Sequence, residues 1–267
     1  MLAFLSVAMV FALTVWFSTN AIAPALEVEK GFSTGDIAWR TIAVQIGFVI
    51  GTLILAITKL ADVFNTRKVF TGRTVLAGVF HAAQVFMPGG FATALVLRVL
   101  NGVFLGGVYP PEMKIISGPF LSGRGIAVDV MIAALTLGSG SPLLLRSIFV
   151  AQWELAFYLN SGLAVGAAAV VYFLVQDGLL DVQARKFNPG YILETVRVRS
   201  TRLVLFGYLC HMWEPYAMWP WIPPFLAIVY GTKSLIGDSL DLVSLVTFLV
   251  FSRGAGLYDC RHLRRAQ

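Results

Sequence analysis

The chain has 267 residues, of which 58% are hydrophobic and 13% are charged, and its mean hydropathy is +0.80. An ordinary soluble domain carries about 25% charged residues, so this composition excludes a soluble domain. It predicts a polytopic membrane protein. The net charge of +6 would suggest nucleic acid in a soluble protein. Here the positions of lysine and arginine report topology instead, and no nucleic-acid partner is expected. Two cysteines and three histidines are too scattered to predict a disulfide framework, a metal site or a cofactor.

Residues 1–23 are apolar for long enough to span a bilayer and predict a first helix, with Asn20 as a polar group near its far end. A signal peptide ending at Ala23 is the alternative. No basic segment precedes it, however, and the apolar stretch exceeds the usual length of about 7–15 residues. Residues 24–36 are then expected to form an outer loop.

Residues 37–60 predict a second helix, in which Gly47 and Gly51 share one face and allow a neighbouring helix to approach closely. Gln45 is the polar side chain at the middle of this helix. The loop that follows contains Asp62, and the basic pair Arg67 and Lys68 comes five and six residues later. An aspartate beside one helix start and cations beside another can latch two helices in one conformational state. An ordinary solvated basic loop is the alternative.

A third helix is predicted at residues 69–87, and a fourth contains Arg98, Gly102, Gly106 and Pro110 at four-residue intervals. The two glycines fall on one face, and Arg98 lies on nearly the same face, so it is expected to point into the bundle. A cation at this depth costs roughly 2.5–3.5 kcal/mol on insertion scales and usually marks an ion or substrate path. The alternative is a structural arginine whose donors are satisfied by carbonyl groups of adjacent helices.

The spacing R-x-x-x-G-x-x-x-G-x-x-x-P resembles the helix-four motif of the major facilitator superfamily, which comprises secondary transporters with two six-helix halves. The loop at 60–68 resembles the short loop that joins helices two and three in that family. Val63 replaces its usual arginine there and Asn65 its usual glycine. The resemblance implies an all-α membrane protein built as a helical bundle of this family's type.

Residues 126–145 predict a fifth helix, interrupted at 138–142, where glycines, serines and a proline favour a kink. The helix lacks the G-P-x-x-G-G element that is typical of the drug-antiporter branch, which argues against drug efflux. Its Asp129 is interpreted as an interfacial acid, and a proton site is the alternative. Residues 155–175 predict a sixth helix, so residues 1–176 are expected to form an N-terminal six-helix transmembrane bundle. The polar, basic residues 177–202 predict a cytoplasmic linker that contains a short surface helix at 188–197.

Residues 203–230 predict a seventh helix that is broken, because four prolines lie among its aromatic and charged residues. Broken helices in transporters tend to line the solute cavity. His211 and Glu214 are three residues apart and share a face, which favours a proton site; a belt at the outer interface is the alternative. The side chains predicted to line the solute or proton path are Arg98, Asn20, Gln45, His211, Trp213, Glu214 and Tyr216.

An eighth helix is predicted at residues 240–256, and the loop after it contains Asp259 followed five residues later by Arg264. Asp259 lies 197 residues after Asp62, so this loop repeats the spacing of the first one and predicts a second latch. This internal repeat is a further resemblance to the superfamily. It implies that residues 203–267 form a partial C-terminal bundle of two helices. The sequence therefore predicts a truncated chain that inserts as eight helices and needs a partner chain to complete its cavity.

Fifteen lysine and arginine residues fall on one side of the predicted membrane topology, and Lys30, Arg40, Arg146 and Lys233 fall on the other. This asymmetry predicts a multi-pass protein of the plasma (inner) membrane with both termini in the cytoplasm. The expected function is secondary transport of a small anionic or polar solute by alternating access, coupled to protons. An inactive fragment and a non-transporting scaffold or receptor are the alternatives. An enzyme is not expected, because the sequence has no metal-ligand pair, nucleophile elbow or phosphate loop.

Overall fold

A computed structural model describes residues 1–86, 90–117, 124–149, 152–175, 196–230 and 242–256, and within these ranges the regular elements are all helical. The prediction of an all-α protein is confirmed. The linker from 176 to 195, most of the surface helix predicted within it, and the loop after residue 256 lie outside the described residues.

The first membrane segment is a broken helix rather than the single helix predicted for residues 1–23. Helix α1 (Leu2–Leu13) ends at Thr14, and the chain becomes helical again in α2 (Ser18–Ala21) and α3 (Ala23–Lys30). The predicted loop at 24–36 is therefore helical over its first part. Gly31 ends α3 in the left-handed region with a φ of 66°, which glycine adopts without steric cost.

Helix α4 (Thr34–Thr58) begins at a capping box. The Ser33 hydroxyl accepts from the backbone N–H of Asp36, and the Asp36 carboxylate accepts from the backbone N–H of Ser33 at 2.8 Å. A short helix α5 (Leu60–Val63) follows, and Asn65 caps α6 (Thr66–Ala83) by accepting from the backbone N–H of Lys68.

The fourth membrane segment consists of α7 (Gly90–Leu105) and α8 (Tyr109–Ser117), separated by a turn at residues 106–108. Helices α9 (Arg124–Ile148) and α10 (Trp153–Leu174) follow. The predicted break at 138–142 is wrong, because α9 continues through Pro142, whereas the kink expected there stays a prediction. Pro142 has no N–H to donate to the carbonyl four residues earlier, that of Gly138. The Ser141 hydroxyl donates to that carbonyl at 2.7 Å and replaces the missing bond.

The C-terminal part begins with α11 (Arg199–Met218), which starts inside the segment that the sequence predicted as linker. A 3-10 turn (Trp219–Trp221) then leads into α12 (Ile222–Tyr230), and α13 (Leu242–Gly256) follows after residues that are not described. The prolines that predicted a broken seventh helix lie at and around this turn. No side chain of α11 is buried.

Packing is closest between α4 and α7, which run in the same direction. Helix α1 packs against α9 and α10, α6 packs against α10 and α7, and α13 packs against α9. Four described helices are long and apolar enough to cross a membrane: Thr34–Thr58, Gly90–Ile116, Gly125–Ile148 and Trp153–Leu174. In the first of these only 33% of the most apolar window is buried, and Ile50, Leu53 and Ile57 are exposed along it. Apolar faces of this kind indicate contact with lipid, so the chain is a multi-pass membrane protein.

Candidate functional site

The break in the first membrane segment, at Thr14 to Phe17, contains neither proline nor glycine. Thr14 and Val15 are β-branched and only weakly disfavour a helix, so local propensity alone does not explain the break. The freed backbone carbonyls of Val15 and Trp16 are instead bound by a side chain from α7, and the Thr14 hydroxyl lies 3.0 Å from the Asn160 carbonyl of α10. Tertiary contacts therefore hold the break open.

Arg98 is the side chain that binds these carbonyls, and it is fully buried. Its Nη1 donates to the Val15 carbonyl at 2.9 Å and to Asn101 Oδ1 at 3.3 Å, and its Nη2 donates to the Trp16 carbonyl. Asn101 in turn donates to the Ala77 carbonyl of α6 at 2.8 Å. The geometry favours the structural alternative for Arg98, because its Nη donors point at backbone carbonyl groups.

A second buried group, His81 on α6, joins the same network. Its Nε2 lies 2.6 Å from the Ser18 hydroxyl, and its Nδ1 lies 2.8 Å from the Ser161 hydroxyl of α10. Each hydroxyl also has a backbone carbonyl as an alternative acceptor, so the neutral imidazole is fully hydrogen-bonded in either tautomer. The ring stacks on Phe157 with centroids 3.9 Å apart. His81 therefore ties three membrane segments together at the break.

Arg40 on α4 is a second fully buried arginine, although the sequence interpretation counted it as a charge of the outer side. Its Nη2 donates to Gln84 Oε1 at 3.1 Å, and its guanidinium lies 5.7 Å from the Phe32 ring centroid. Its Nε and Nη1 have no hydrogen-bond partner among the described residues, nor does it pair with a described carboxylate. This group is a buried cation, and four of its five N–H bonds have no acceptor among the described residues.

Aromatic rings cover the break from the side of the C-terminal helices. Trp16 contacts Phe48 of α4 and Tyr216 of α11, with centroids 4.7 and 6.1 Å away. Trp219 contacts Phe17 at 5.9 Å and Phe251 of α13 at 4.8 Å. We refer to these six rings, Trp16, Phe17, Phe48, Tyr216, Trp219 and Phe251, as the aromatic layer. It lies between the N-terminal bundle and the C-terminal helices.

The structure brings some of the predicted path residues to this region and leaves others away from it. Arg98 and Tyr216 contact the break or the aromatic layer, and the half-buried Asn20 accepts from the Thr41 hydroxyl at 3.0 Å. Gln45 is half-buried on α4. His211, Trp213 and Glu214 are exposed on α11, and Trp213 is 78% exposed. The burial that a proton site at Glu214 requires is therefore not present in this conformation.

The predicted packing glycines lie in the interface between α4 and α7. A Cβ on Gly47 or Gly51 would overlap backbone atoms of Val99 or Val103. A Cβ on Gly102 would overlap the Val44 carbonyl, and one on Gly106 would come within 2.5 Å of the Phe48 carbonyl oxygen. Pro110 stands in the first turn of α8, where its missing N–H leaves no helical bond unmade. The close parallel approach of the two helices depends on these four glycines.

Of the predicted latch residues, Arg67 donates to two carbonyls at the end of α10. The Val175 carbonyl, at 2.9 Å, lies just beyond the helix, and the Tyr172 carbonyl, at 3.3 Å, lies in its last turn. Lys68 is exposed. The Asp62 side chain, Asp259 and Arg264 lie outside what the structure describes, so the latch remains a prediction.

Three fully buried ionisable residues were not singled out from the sequence as site residues: Arg40, His81 and Glu112. Glu112 on α8 is fully buried, and no described group donates to either of its carboxyl oxygens. The position of Arg40 and Glu112 in long apolar segments was the available signal, because ionisable side chains at membrane depth indicate function by default.

The fold and the buried polar network define the class of the protein: an all-α, multi-pass membrane protein whose first spanning segment is broken around a buried arginine. A sequence profile of the Major Facilitator Superfamily matches residues 5–262, and the chain belongs to this superfamily. The tetracenomycin C resistance and export protein of Streptomyces glaucescens is 27% identical to it over 173 residues. That alignment covers 63% of this chain and 30% of the relative, so the chain spans less than a third of the relative's length.

Proposed function

We propose that the chain acts in secondary transport of a small anionic solute by alternating access, coupled to a proton gradient, in the plasma membrane with both termini in the cytoplasm. Membership of the superfamily supports transport in general. The broken first segment supports a path at this place, because broken helices in transporters tend to line the solute cavity.

The observation that carries the anionic class is Arg40. An ionised group buried without a partner costs several kcal/mol even after relaxation, so evolution rarely keeps one that has no ligand. The four N–H bonds of Arg40 that no described group accepts form part of a planar fork that matches a carboxylate. Arg98 lies close enough to act on Arg40 electrostatically, and no described carboxylate pairs with either arginine. The paired positive charge favours an anion over a neutral or cationic solute.

The experiment uses proteoliposomes, an imposed proton gradient and radiolabelled benzoate, a small aromatic carboxylate. Competition by chloride, acetate, amino acids and sugars defines the solute class. Replacing Arg40 by Gln removes the charge at nearly constant size, and we expect the half-saturating benzoate concentration to rise about tenfold or more, since the loss of a charge-assisted bond of about 1.5–3 kcal/mol has this effect.

Lys30→Gln is the matched control, because Lys30 is an exposed cation at the end of α3, shortly before α4 begins, and its loss should leave the half-saturating concentration unchanged. Equal effects of the two substitutions would assign the change to surface charge. Competition by sugars and not by anions would contradict the anionic class.

Export of a larger aromatic compound is the second candidate. It is supported by the similarity to a protein named for tetracenomycin C resistance and export, and by the aromatic layer at the break. The missing helix-five element of the drug-antiporter branch argues against it. Inhibition of benzoate uptake by neutral polycyclic aromatic compounds, unaffected by Arg40→Gln, would favour this candidate.

A further inference from the structure

Glu112 lies just after the turn that interrupts the helix of the fourth membrane segment. The turn at 106–108 separates it from α7, and it stands in the first turn of α8. Its side chain is 0% exposed and shares a helix face with Val108, Ile115 and Ile116, all of which belong to the main apolar core. The carboxyl group therefore lies in apolar surroundings, in the first helical turn after the interruption at 106–108.

No described group donates a hydrogen bond to either carboxyl oxygen of Glu112. The nearby cations have other acceptors: Arg73 of α6 donates to the Val103 carbonyl at 2.6 Å, and Lys114 of α8 donates to the Ala61 carbonyl at 2.8 Å. The carboxyl group thus has no counter-charge among the residues that the structure describes.

The other titratable groups of the elements packed against α8 do not supply one either. Helix α1 has no titratable side chain, and Asp129 of α9 is a half-buried acid. The side chain of Arg124 on α9 is not described. None of the remaining titratable residues of these helices donates a hydrogen bond to Glu112; they are Arg67, Lys68 and His81 on α6, Arg146 on α9 and Tyr109 on α8.

An ionised carboxylate in such surroundings would carry a large desolvation cost, and buried groups of this kind neutralise instead. We propose that Glu112 is the proton-binding carboxyl group of the transport cycle. It holds a proton in the conformation described here, and it releases that proton to water when α8 pivots at the 106–108 turn and exposes the carboxyl group. The O–H bond of the acid breaks, water accepts the proton, and the carboxylate keeps the electron pair.

Arg73 is placed to stabilise the carboxylate after release. Its side chain packs against Gly107, in the turn on which α8 would pivot, and its buried Nε has no acceptor among the described residues. This inference rests on the proposed function, because it assigns the proton-coupling step of that transport. It places the step on Glu112 rather than on Glu214, which is exposed on α11.

The test is infrared spectroscopy of the purified chain in lipid nanodiscs, and it requires no solute. At neutral pH the wild type should show the carbonyl stretch of a protonated carboxyl group without strong hydrogen bonds. Glu112→Gln should lack that band, and Glu154→Gln should keep it, because Glu154 is exposed at the start of α10. As the pH is raised, the band should disappear reversibly while the helical amide band stays unchanged.

Identical carboxyl regions in the wild type and Glu112→Gln would show an ionised Glu112 and overturn the inference. A band that persists at every pH at which the helices remain intact would show an acid that never releases its proton, and would overturn it too. In the benzoate assay, Glu112→Gln should abolish gradient-driven accumulation and keep the exchange of labelled for unlabelled benzoate, and full accumulation would contradict the assignment. If the wild type moves no benzoate, the proposed function fails while the infrared result still decides the protonation of Glu112.

Discussion

Replacing Arg98 by alanine tests whether this side chain holds the first membrane segment broken. In the wild type, Arg98 supplies the donors for the Val15 and Trp16 carbonyls and for Asn101 Oδ1. Alanine removes all of them. The Trp16 carbonyl and Asn101 Oδ1 are then buried without a described side-chain donor, whereas the Val15 carbonyl keeps the Ser18 hydroxyl at 3.0 Å. Each such group costs about 1–3 kcal/mol.

Part of this cost is offset, because the variant no longer buries a cation, which costs roughly 2.5–3.5 kcal/mol on insertion scales. When the wild type unfolds in mixed micelles, the Arg98 side chain reaches the polar interface. Unfolding therefore recovers only part of the cost of burying the cation. We therefore expect Arg98→Ala to lower the free energy of unfolding by about 2 kcal/mol or more. The free energy of unfolding of Arg98→Lys should lie between those of the wild type and Arg98→Ala, since an ammonium group donates hydrogen bonds but does not reproduce the planar fork.

The assay is equilibrium unfolding in mixed detergent micelles, followed by tryptophan fluorescence, which Trp16 at the break can report. Arg73→Ala is the matched control, because Arg73 also donates to backbone carbonyls but is only half-buried, so water can replace it. Its loss should cost below about 1 kcal/mol. If Arg98→Ala were as stable as the wild type, or no less stable than Arg73→Ala, the break would not depend on the arginine.

Two further predictions use the same unfolding assay. Gly51→Val should separate α4 from α7 and abolish cooperative unfolding, because any Cβ there overlaps the Val103 backbone. Gly162→Val is the control and should be tolerated, since nothing lies within 4 Å of a Cβ at that position. His81→Phe keeps an aromatic ring in the stack but removes both ring nitrogens, so it should lower the free energy of unfolding by about 1–2 kcal/mol; no change would show that the serine contacts contribute nothing.

The sequence predicted the helical segments well and the site only in part, for physical reasons that particular residues show. Hydropathy locates apolar segments, but it does not reveal that the first one breaks at Thr14 to Phe17, where Arg98 of another helix binds the backbone carbonyls. The partners of Arg98 are backbone carbonyls, which carry no sequence signature. The prediction could place the arginine inside the bundle and could not choose between its two roles.

The sequence also did not show how deeply individual side chains are buried. Helix α4 begins at Thr34 and not at residue 37, so Arg40 lies more than a turn inside the helix and is buried rather than interfacial. At Pro142 the sequence shows the missing donor but not the Ser141 hydroxyl that replaces it. On α11, a cluster of aromatic and charged residues was predicted to line the solute or proton path, yet Trp213 and Glu214 are exposed in this conformation.

The most direct test of the account is the wild-type arm of the uptake assay. Proteoliposomes that contain the purified chain, prepared at several protein-to-lipid ratios, are given labelled benzoate with and without an imposed proton gradient. The account predicts accumulation that requires the gradient, collapses when a protonophore is added, and is competed by other small anions. Equal benzoate contents with and without the gradient, at every protein-to-lipid ratio, would contradict secondary transport as the function of this chain.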